Sequence, residues 1–202
     1  MALIIYGTPR SRTMRVLWAA AELGLEYEHI PFDWQDPALK TPEFLAISPM
    51  GEVPTIVDDG FALTESMAIL LYLAKRYGRS GPEPLYPGDL AEEADVWRWA
   101  LWAQAALEPW VMRDAQVAEI RANAGATVDR ELARGLTALE RHLSGSPWLA
   151  AQHFTVADMC VAAALSPSRA ALLDFAPYPA ARDWLTRCYA RPAALATRAR
   201  FG

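Results

Sequence analysis

Residues 49–66 read PMGEVPTIVDDGFALTES, and in the middle of this stretch a strand begins beside a residue that strands exclude. Thr55-Ile56-Val57 has strand composition, Asp58-Asp59-Gly60 turns the chain, and Phe61-Ala62-Leu63 resumes the extended run, so the segment reads as a hairpin. Pro49 and Gly51 announce a turn ahead of it. Pro54 stands at the threshold, and a residue without an N–H belongs only at a strand start, an edge or a bulge. Either the chain is braced at Val53-Pro54 or something binds there.

Working outward, the first half alternates. Leu3 to Tyr6 is a short strand, Thr13 to Leu23 has helical apolar spacing ended by Gly24, and Tyr27 to Pro31 is a second strand, which together make a β-α-β unit. A helical turn at 42–47, the hairpin and a helix from about Glu65 to Tyr77 follow. GRSGPEPLYPG, residues 78–88, is too rich in Gly and Pro to continue a helix. The expected division is therefore an α/β domain over 1–78, a linker over 79–88 and an all-helical domain over 89–202. Within the last, the pattern predicts helices at 89–120, 127–143, 155–171 and 179–190, with a short turn after Pro192 and a kink near Leu107-Glu108 imposed by Pro109. Trp97, Trp99, Trp102 and Trp110 cannot share one helix face, so one face packs in the bundle and another meets something else. In FTVAD, Thr155 and Asp158 have the spacing of a capping box, with Phe154 and Met159 placed as a hydrophobic staple. That assigns Asp158 to folding rather than to acid catalysis.

At 202 residues, 53% hydrophobic and 21% charged, with 8 Trp, the chain has ample material for a core. A net charge of −5 and no Lys/Arg stripe argue against nucleic-acid binding. No basic start leads into an apolar run and no stretch reaches membrane-spanning length, so the expected location is the cytoplasm. Cys160 and Cys188 sit in apolar helical segments without C-x-x-C spacing and read as small buried hydrophobes. His29, His142 and His153 lack metal-ligand spacing, and no metal is implied.

Four features of the first half can meet one ligand. Ser11, in GTPRSRTMR, lies between the first strand and first helix, where unpaired N–H groups and the positive helix end favour an anion; alone it reads equally as an N-cap. Thr64-Glu65-Ser66 opens the next helix, whose N–H groups and Ser66 hydroxyl suit a carboxylate while Glu65 suits an ammonium. Lys40, in LKTPEF, is the third. The fourth is Val53-Pro54: a cis bond leaves the Val53 N–H and C=O facing outward for strand-type pairing with an extended peptide. A peptide with two carboxylates and an ammonium uses all four, and glutathione is such a peptide.

With these pieces assembled, the chain resembles the glutathione S-transferase superfamily over nearly its whole length, through LIIYGTPRSRTMRVLWAAAELGLEYE, PEFLAISPMGEVPTIVDDG, LTES, the LYP linker and FTVAD. The resemblance is to Ser-type members of the bacterial, theta-like and phi-like kind. It implies a thioredoxin-like α/β N-terminal domain, an all-α C-terminal bundle, a homodimer, and a detoxifying transferase that uses glutathione as co-substrate. It implies that Ser11, four residues before Arg15, is catalytic, that Val53 and the cis-proline Pro54 meet the cysteinyl part, that Glu65 and Ser66 bind the γ-glutamyl group, and that Lys40 meets the glycyl carboxylate. Trp102, Trp110 and Arg113 are the candidates for a wall around an apolar electrophile. Thr13 and Arg12 are alternatives to Ser11 at the sulfur. The chain departs from the family pattern at Glu52, where Gln or Lys is usual, at Ser48, where Asn is common, and at Leu39, where some plant members have His. Peroxide or disulfide reduction with glutathione, and a binding module that activates no thiolate, are the competing functions.

Overall fold

The computed structural model describes residues 2–111 and 115–202. They form two compact units, Met1–Ser80 with Ala190–Gly202, and Gly81–Tyr189.

In the first unit β1 (Leu3–Tyr6), α1 (Thr13–Glu22), β2 (Glu28–Ile30), a 3-10 turn (Pro37–Lys40), α2 (Pro42–Leu45), β3 (Thr55–Asp58), β4 (Phe61–Thr64) and α3 (Ser66–Tyr77) follow in order. The four strands make one sheet, β2-β1-β3-β4, with β2 parallel to β1 and the other pairs antiparallel. This is the mixed sheet of the thioredoxin-like architecture. Alternation within each short strand sends one set of side chains inward: Ile5 and its register partner Ile56 have no solvent exposure. Val16, Leu17 and Ala20 of α1 and Ile69, Leu70 and Leu73 of α3 are buried with them. Burying each such Leu, Ile or Val side chain is worth about 1.5–3 kcal/mol.

The far end of the hairpin is tied to α3. Asp58 is buried and accepts bonds from the Tyr72 hydroxyl (2.9 Å) and the Tyr77 hydroxyl (2.8 Å), with Arg76 Nε 3.2 Å away. Burial, reinforced by the bond to Asp58, pushes the Tyr72 phenol up to about 12.

The chain's last helix, α10 (Pro192–Phe201), belongs to this first unit and packs along α1. Where a short turn is expected after Pro192, ten helical residues occur. Pro192 supplies the preset φ of a first helical position, and the Arg191 guanidinium donates twice to Glu22, at 2.9 Å each. That anchor joins residues 169 apart in sequence, which no local pattern can foretell.

The second unit is helical throughout: α4 (Leu90–Trp102), a π-helical segment (Ala103–Leu107), α5 (Glu108–Val111), α6 (Ala115–Leu143), α7 (Val156–Ala164), α8 (Pro167–Ala170) and α9 (Pro179–Tyr189). Three differences from the expected helices have physical reasons. The kink expected near Leu107-Glu108 is drawn out into a π-helical stretch directly before Pro109, whose missing N–H breaks the ordinary ladder. Residues 121–126, expected to interrupt the helices, instead run within the 29-residue α6, so the helix continues through Gly125. The helix expected over 155–171 stops at Ala164, and Pro167 opens a separate short turn of helix.

All nine residues of α7 are buried, and its capping box is closed as the sequence predicts. Thr155 Oγ1 caps the helix start, and Asp158 accepts from the N–H groups of Thr155 (2.9 Å) and Leu149 (3.0 Å), from Thr155 Oγ1 (3.2 Å) and from Trp184 Nε1 (2.8 Å). Burial pushes the Asp158 carboxyl up, and these donors pull against it.

Candidate active site

The first unit brings three loop ends together at the edge of its sheet. β1 ends at Gly7, whose φ of 126° is open to glycine and strained for other residues. A Cβ there would lie 2.1 Å from Thr13 Oγ1 and 2.8 Å from Val53 Cβ. The glycine is therefore the hinge pin between the start of α1 and the Val53-Pro54 corner. Nothing in the sequence pattern singled it out.

The loop beyond Gly7 is tightly bonded. Ser11 N–H and Ser11 Oγ both donate to Thr8 O, at 3.0 and 2.8 Å, and Ser11 Oγ accepts from Thr13 N–H at 3.1 Å. Thr13 Oγ1 lies 2.9 Å from Ser11 Oγ. Ser11 is thus half-buried at the entrance to α1, while Thr13 is wholly buried behind it. The two hydroxyls form one pair, of which Ser11 has the solvent side. Arg12, the N-cap residue, is exposed.

The Val53-Pro54 bond is cis. The Val53 N–H and C=O make no hydrogen bond to the described residues, and the first ladder pair beyond them is Thr55 with Tyr6. The corner is held from behind by Ser48, fully buried, whose hydroxyl accepts from Glu52 N–H and donates to Glu52 O, both at 3.1 Å; Thr55 Oγ1 adds a bond to the same carbonyl at 2.8 Å. The short Ser48 side chain thus braces the Glu52 backbone on both its N–H and its C=O.

At the start of α3, Glu65 has φ 67° and ψ 111°, a conformation that costs a non-glycine residue on the order of 1–3 kcal/mol. It exposes the Glu65 side chain while burying Ser66 beneath it. Arg15 reaches across from α1, itself buried, and its Nη1 donates to Ser66 Oγ at 3.3 Å. Arg15 therefore ties the first helix start to the second. Lys40 is exposed, and its ammonium lies 3.4 Å from the carbonyls of both Met50 and Gly51, folded against the loop that leads to Glu52.

This order of elements and this sheet recur in known proteins. A family model for the glutathione S-transferase N-terminal domain matches residues 1–75, and one for the C-terminal domain matches residues 99–192. Glutathione S-transferase D7 of Anopheles gambiae is 32% identical over 190 residues, covering 93% of this chain and 86% of the relative. The chain belongs to the glutathione S-transferase family. The disulfide-bond oxidoreductase YfcG of Escherichia coli is 29% identical, with 94% of this chain and 91% of that protein covered. Among solved structures, a delta-class glutathione transferase of Nilaparvata lugens superposes with a TM-score of 0.81 at 28% identity, covering 98% of this chain and 96% of that one.

In the second unit of this glutathione S-transferase, the tryptophans divide. Trp99 is buried, its Nε1 donating to Leu149 O at 2.9 Å, with Trp102 and His142 edge-on to it at ring separations of 5.2 and 5.1 Å. Trp102 also rests 3.5 Å from the space over Gly135. Trp97 is 49% exposed and donates to the Tyr86 hydroxyl at 3.0 Å. Trp110 is half-buried in α5. Arg113, the third candidate for the electrophile wall, lies outside the described residues.

Proposed function

We propose that this glutathione S-transferase activates the glutathione thiol at Ser11 and conjugates it to an apolar electrophile. What supports the reading is the convergence, in one unit, of a half-buried hydroxyl at the α1 N-terminus, a Val53 backbone without a hydrogen bond to the described residues and the strained Glu65-Ser66 corner. A free thiol titrates near pH 8.5, so only about a few per cent is thiolate at pH 7. A donated hydrogen bond and the helix N-terminus both favour the anion, and each unit of depression is about 1.4 kcal/mol of preferential thiolate binding. The Ser11 proton points to Thr8 O at 2.8 Å. Rotation about the Cβ–Oγ bond presents it to a sulfur instead, and Thr8 O keeps the Ser11 N–H as donor. Serine acts here as donor and keeps its proton.

In this proposal the Val53 N–H and C=O pair with the cysteinyl backbone beside Pro54. Ser66 and the N–H groups opening α3 take the γ-glutamyl carboxylate, Glu65 takes the ammonium, and Lys40 swings from its two carbonyls to the glycyl carboxylate. Trp102, Trp110 and Arg113 are proposed for the electrophile side. This thiol chemistry calls for no metal. The N-terminal domain (1–78), linker (79–88) and helical domain (89–202) remain the proposed functional division. Homodimer formation is part of the proposal: Leu90, Trp97 and Leu101 are exposed on α4 at spacings of seven and four, which puts them on one face. A cytoplasmic, detoxifying role follows from the same reading, and no helix of the described residues is long and apolar enough to cross a membrane.

The likeness to a disulfide-bond oxidoreductase gives a second reading, reduction of a disulfide or peroxide by the same bound thiolate. Ultraviolet titration of glutathione bound to wild type and to Ser11→Ala tests the shared step. A depressed thiol pKa that Ser11→Ala abolishes supports both readings; an unshifted pKa in wild type sinks them and leaves a binding module. Conjugation of chlorodinitrobenzene against reduction of a peroxide then separates the two.

A further inference from the structure

His29 is one of three histidines that the proposed chemistry does not use, and it lies in the same unit as the Ser11 loop. It lies on the edge strand β2, in register with Ile5. Its Nε2 is 2.9 Å from Gly7 O. A carbonyl only accepts, so Nε2 carries the hydrogen and donates. The peptide plane between Gly7 and Thr8 is thereby held at both ends, because Thr8 N–H donates to Phe32 O at 2.7 Å. The next carbonyl along, Thr8 O, receives both the N–H and the hydroxyl of Ser11.

The imidazole is supported in turn from the far end of the sequence. Phe201 stands edge-on to it at a ring separation of 5.5 Å. Phe201 is the last residue of α10, whose first turn is bolted to α1 by the Arg191–Glu22 pair; the same Glu22 carboxylate accepts Trp18 Nε1 at 2.9 Å. A path of contacts therefore leads from the C-terminal helix through one imidazole to the Gly7 carbonyl, one residue before the Thr8 carbonyl to which Ser11 donates.

We infer that His29 is a positioning residue for Ser11: it fixes the Gly7–Thr8 peptide so that the Ser11 hydroxyl meets the glutathione sulfur, with α10 as its buttress through Phe201. The inference rests on Ser11 being the sulfur's donor. Its consequence is a cost in kcat and in thiol pKa with little change in the KM for glutathione, since the groups proposed to hold the tripeptide are Lys40, Val53 and the Glu65-Ser66 start of α3.

The test uses the full chain in five forms: wild type, His29→Leu, His29→Gln, Ser11→Ala and the Ser11→Ala, His29→Leu double variant. Each is followed by chlorodinitrobenzene kinetics, by the bound-thiol titration and by thermal unfolding. We expect His29→Leu to lower kcat about tenfold, the effect of one oriented hydrogen bond, to raise the thiol pKa, and to leave the glutathione KM within about twofold. Gln carries an N–H near the place of Nε2, and we expect it to restore most of the loss. In the Ser11→Ala background the Leu substitution has no further effect if it acts through Ser11. Unchanged kcat and thiol pKa in His29→Leu, equal damage from Leu and Gln, or additive effects in the double variant overturn the inference. Should His29→Leu fail to fold, Phe201→Ala decides, with a loss of about threefold in the same direction expected and wild-type behaviour overturning the inference. If Ser11→Ala alone keeps the depressed thiol pKa, the reading of Ser11 falls, whatever the His29 variants do.

Discussion

The starts of α7 and α1 both carry a hydroxyl residue, and they put it to opposite uses. At α7, Thr155 and Asp158 are fully buried, and every donor around the Asp158 carboxylate comes from the protein's own second unit. The box is closed. At α1, Ser11 is half-buried, and the Val53 backbone of the same unit makes no hydrogen bond to the described residues. That corner is open. A capping residue whose surroundings are sealed holds a fold together, and one left at the edge of an unpaired strand end is available to a ligand. Residue type at a helix start does not separate the cases; burial and the presence of an unpaired neighbour do.

The comparison can be broken most severely at its closed end. Asp158→Ala leaves the buried indole N–H of Trp184 and two backbone N–H groups without their acceptor, at about 1–3 kcal/mol for each group that water does not reach. We expect a total loss of at least about 3 kcal/mol in urea unfolding, with the catalytic rate per folded molecule unchanged. At the open end, Ser11→Ala is expected to reverse that pattern. If Ser11 donates to the thiolate as proposed, its loss costs on the order of 10²-fold in kcat, while stability measured the same way falls by no more than about 1 kcal/mol. If both variants lost stability alike, the distinction between the two helix starts would collapse.

Glu65 sharpens the contrast, because there the open corner is strained. Glu65→Gly relieves the positive φ and is expected to raise the unfolding free energy by up to about 1 kcal/mol, while the KM for glutathione rises about tenfold if Glu65 is the ammonium's partner as proposed. A stabilised variant with unchanged KM would show the strain to be incidental.

The smallest effect lies in the purely structural brace behind the hairpin. Tyr72→Phe removes one of the donors to Asp58, at about 1 kcal/mol, since Tyr77 and Arg76 remain. Its pH signature has a defined sign. The Tyr72 phenol titrates at about 12 in the fold against 10.0 unperturbed, so the folded state holds a proton that the unfolded chain has released between those values. Its stabilisation is complete below pH 10 and is lost as pH rises toward 12. Thermal unfolding from pH 9 to 11.5 should show a steeper decline for wild type than for Tyr72→Phe.

Much of this was legible in the sequence because its signals are local. The β-α-β start follows from apolar periods of 2 and 3.6 and from Gly24, the hairpin from Asp58-Asp59-Gly60, and the capping box from three-residue spacing. Pro54 itself indicates where a strand must begin. One local signal misled: the helix break expected at 121–126 is absent, because a single glycine such as Gly125 costs only about 1 kcal/mol and does not interrupt the cooperative ladder of a 29-residue helix.

The sequence by itself determined the elements, their order and the residue types that can face a thiol, since backbone geometry and side-chain chemistry act over a few residues at a time. Only the tertiary structure decided which of those groups are consumed by the protein and which are left open. Arg15 meets Ser66 from 51 residues away, Gly7 touches Thr13 and Val53 at once, and Arg191 grips Glu22. Such contacts depend on how distant segments pack, and packing is a property of the whole unit, which no window along the chain contains.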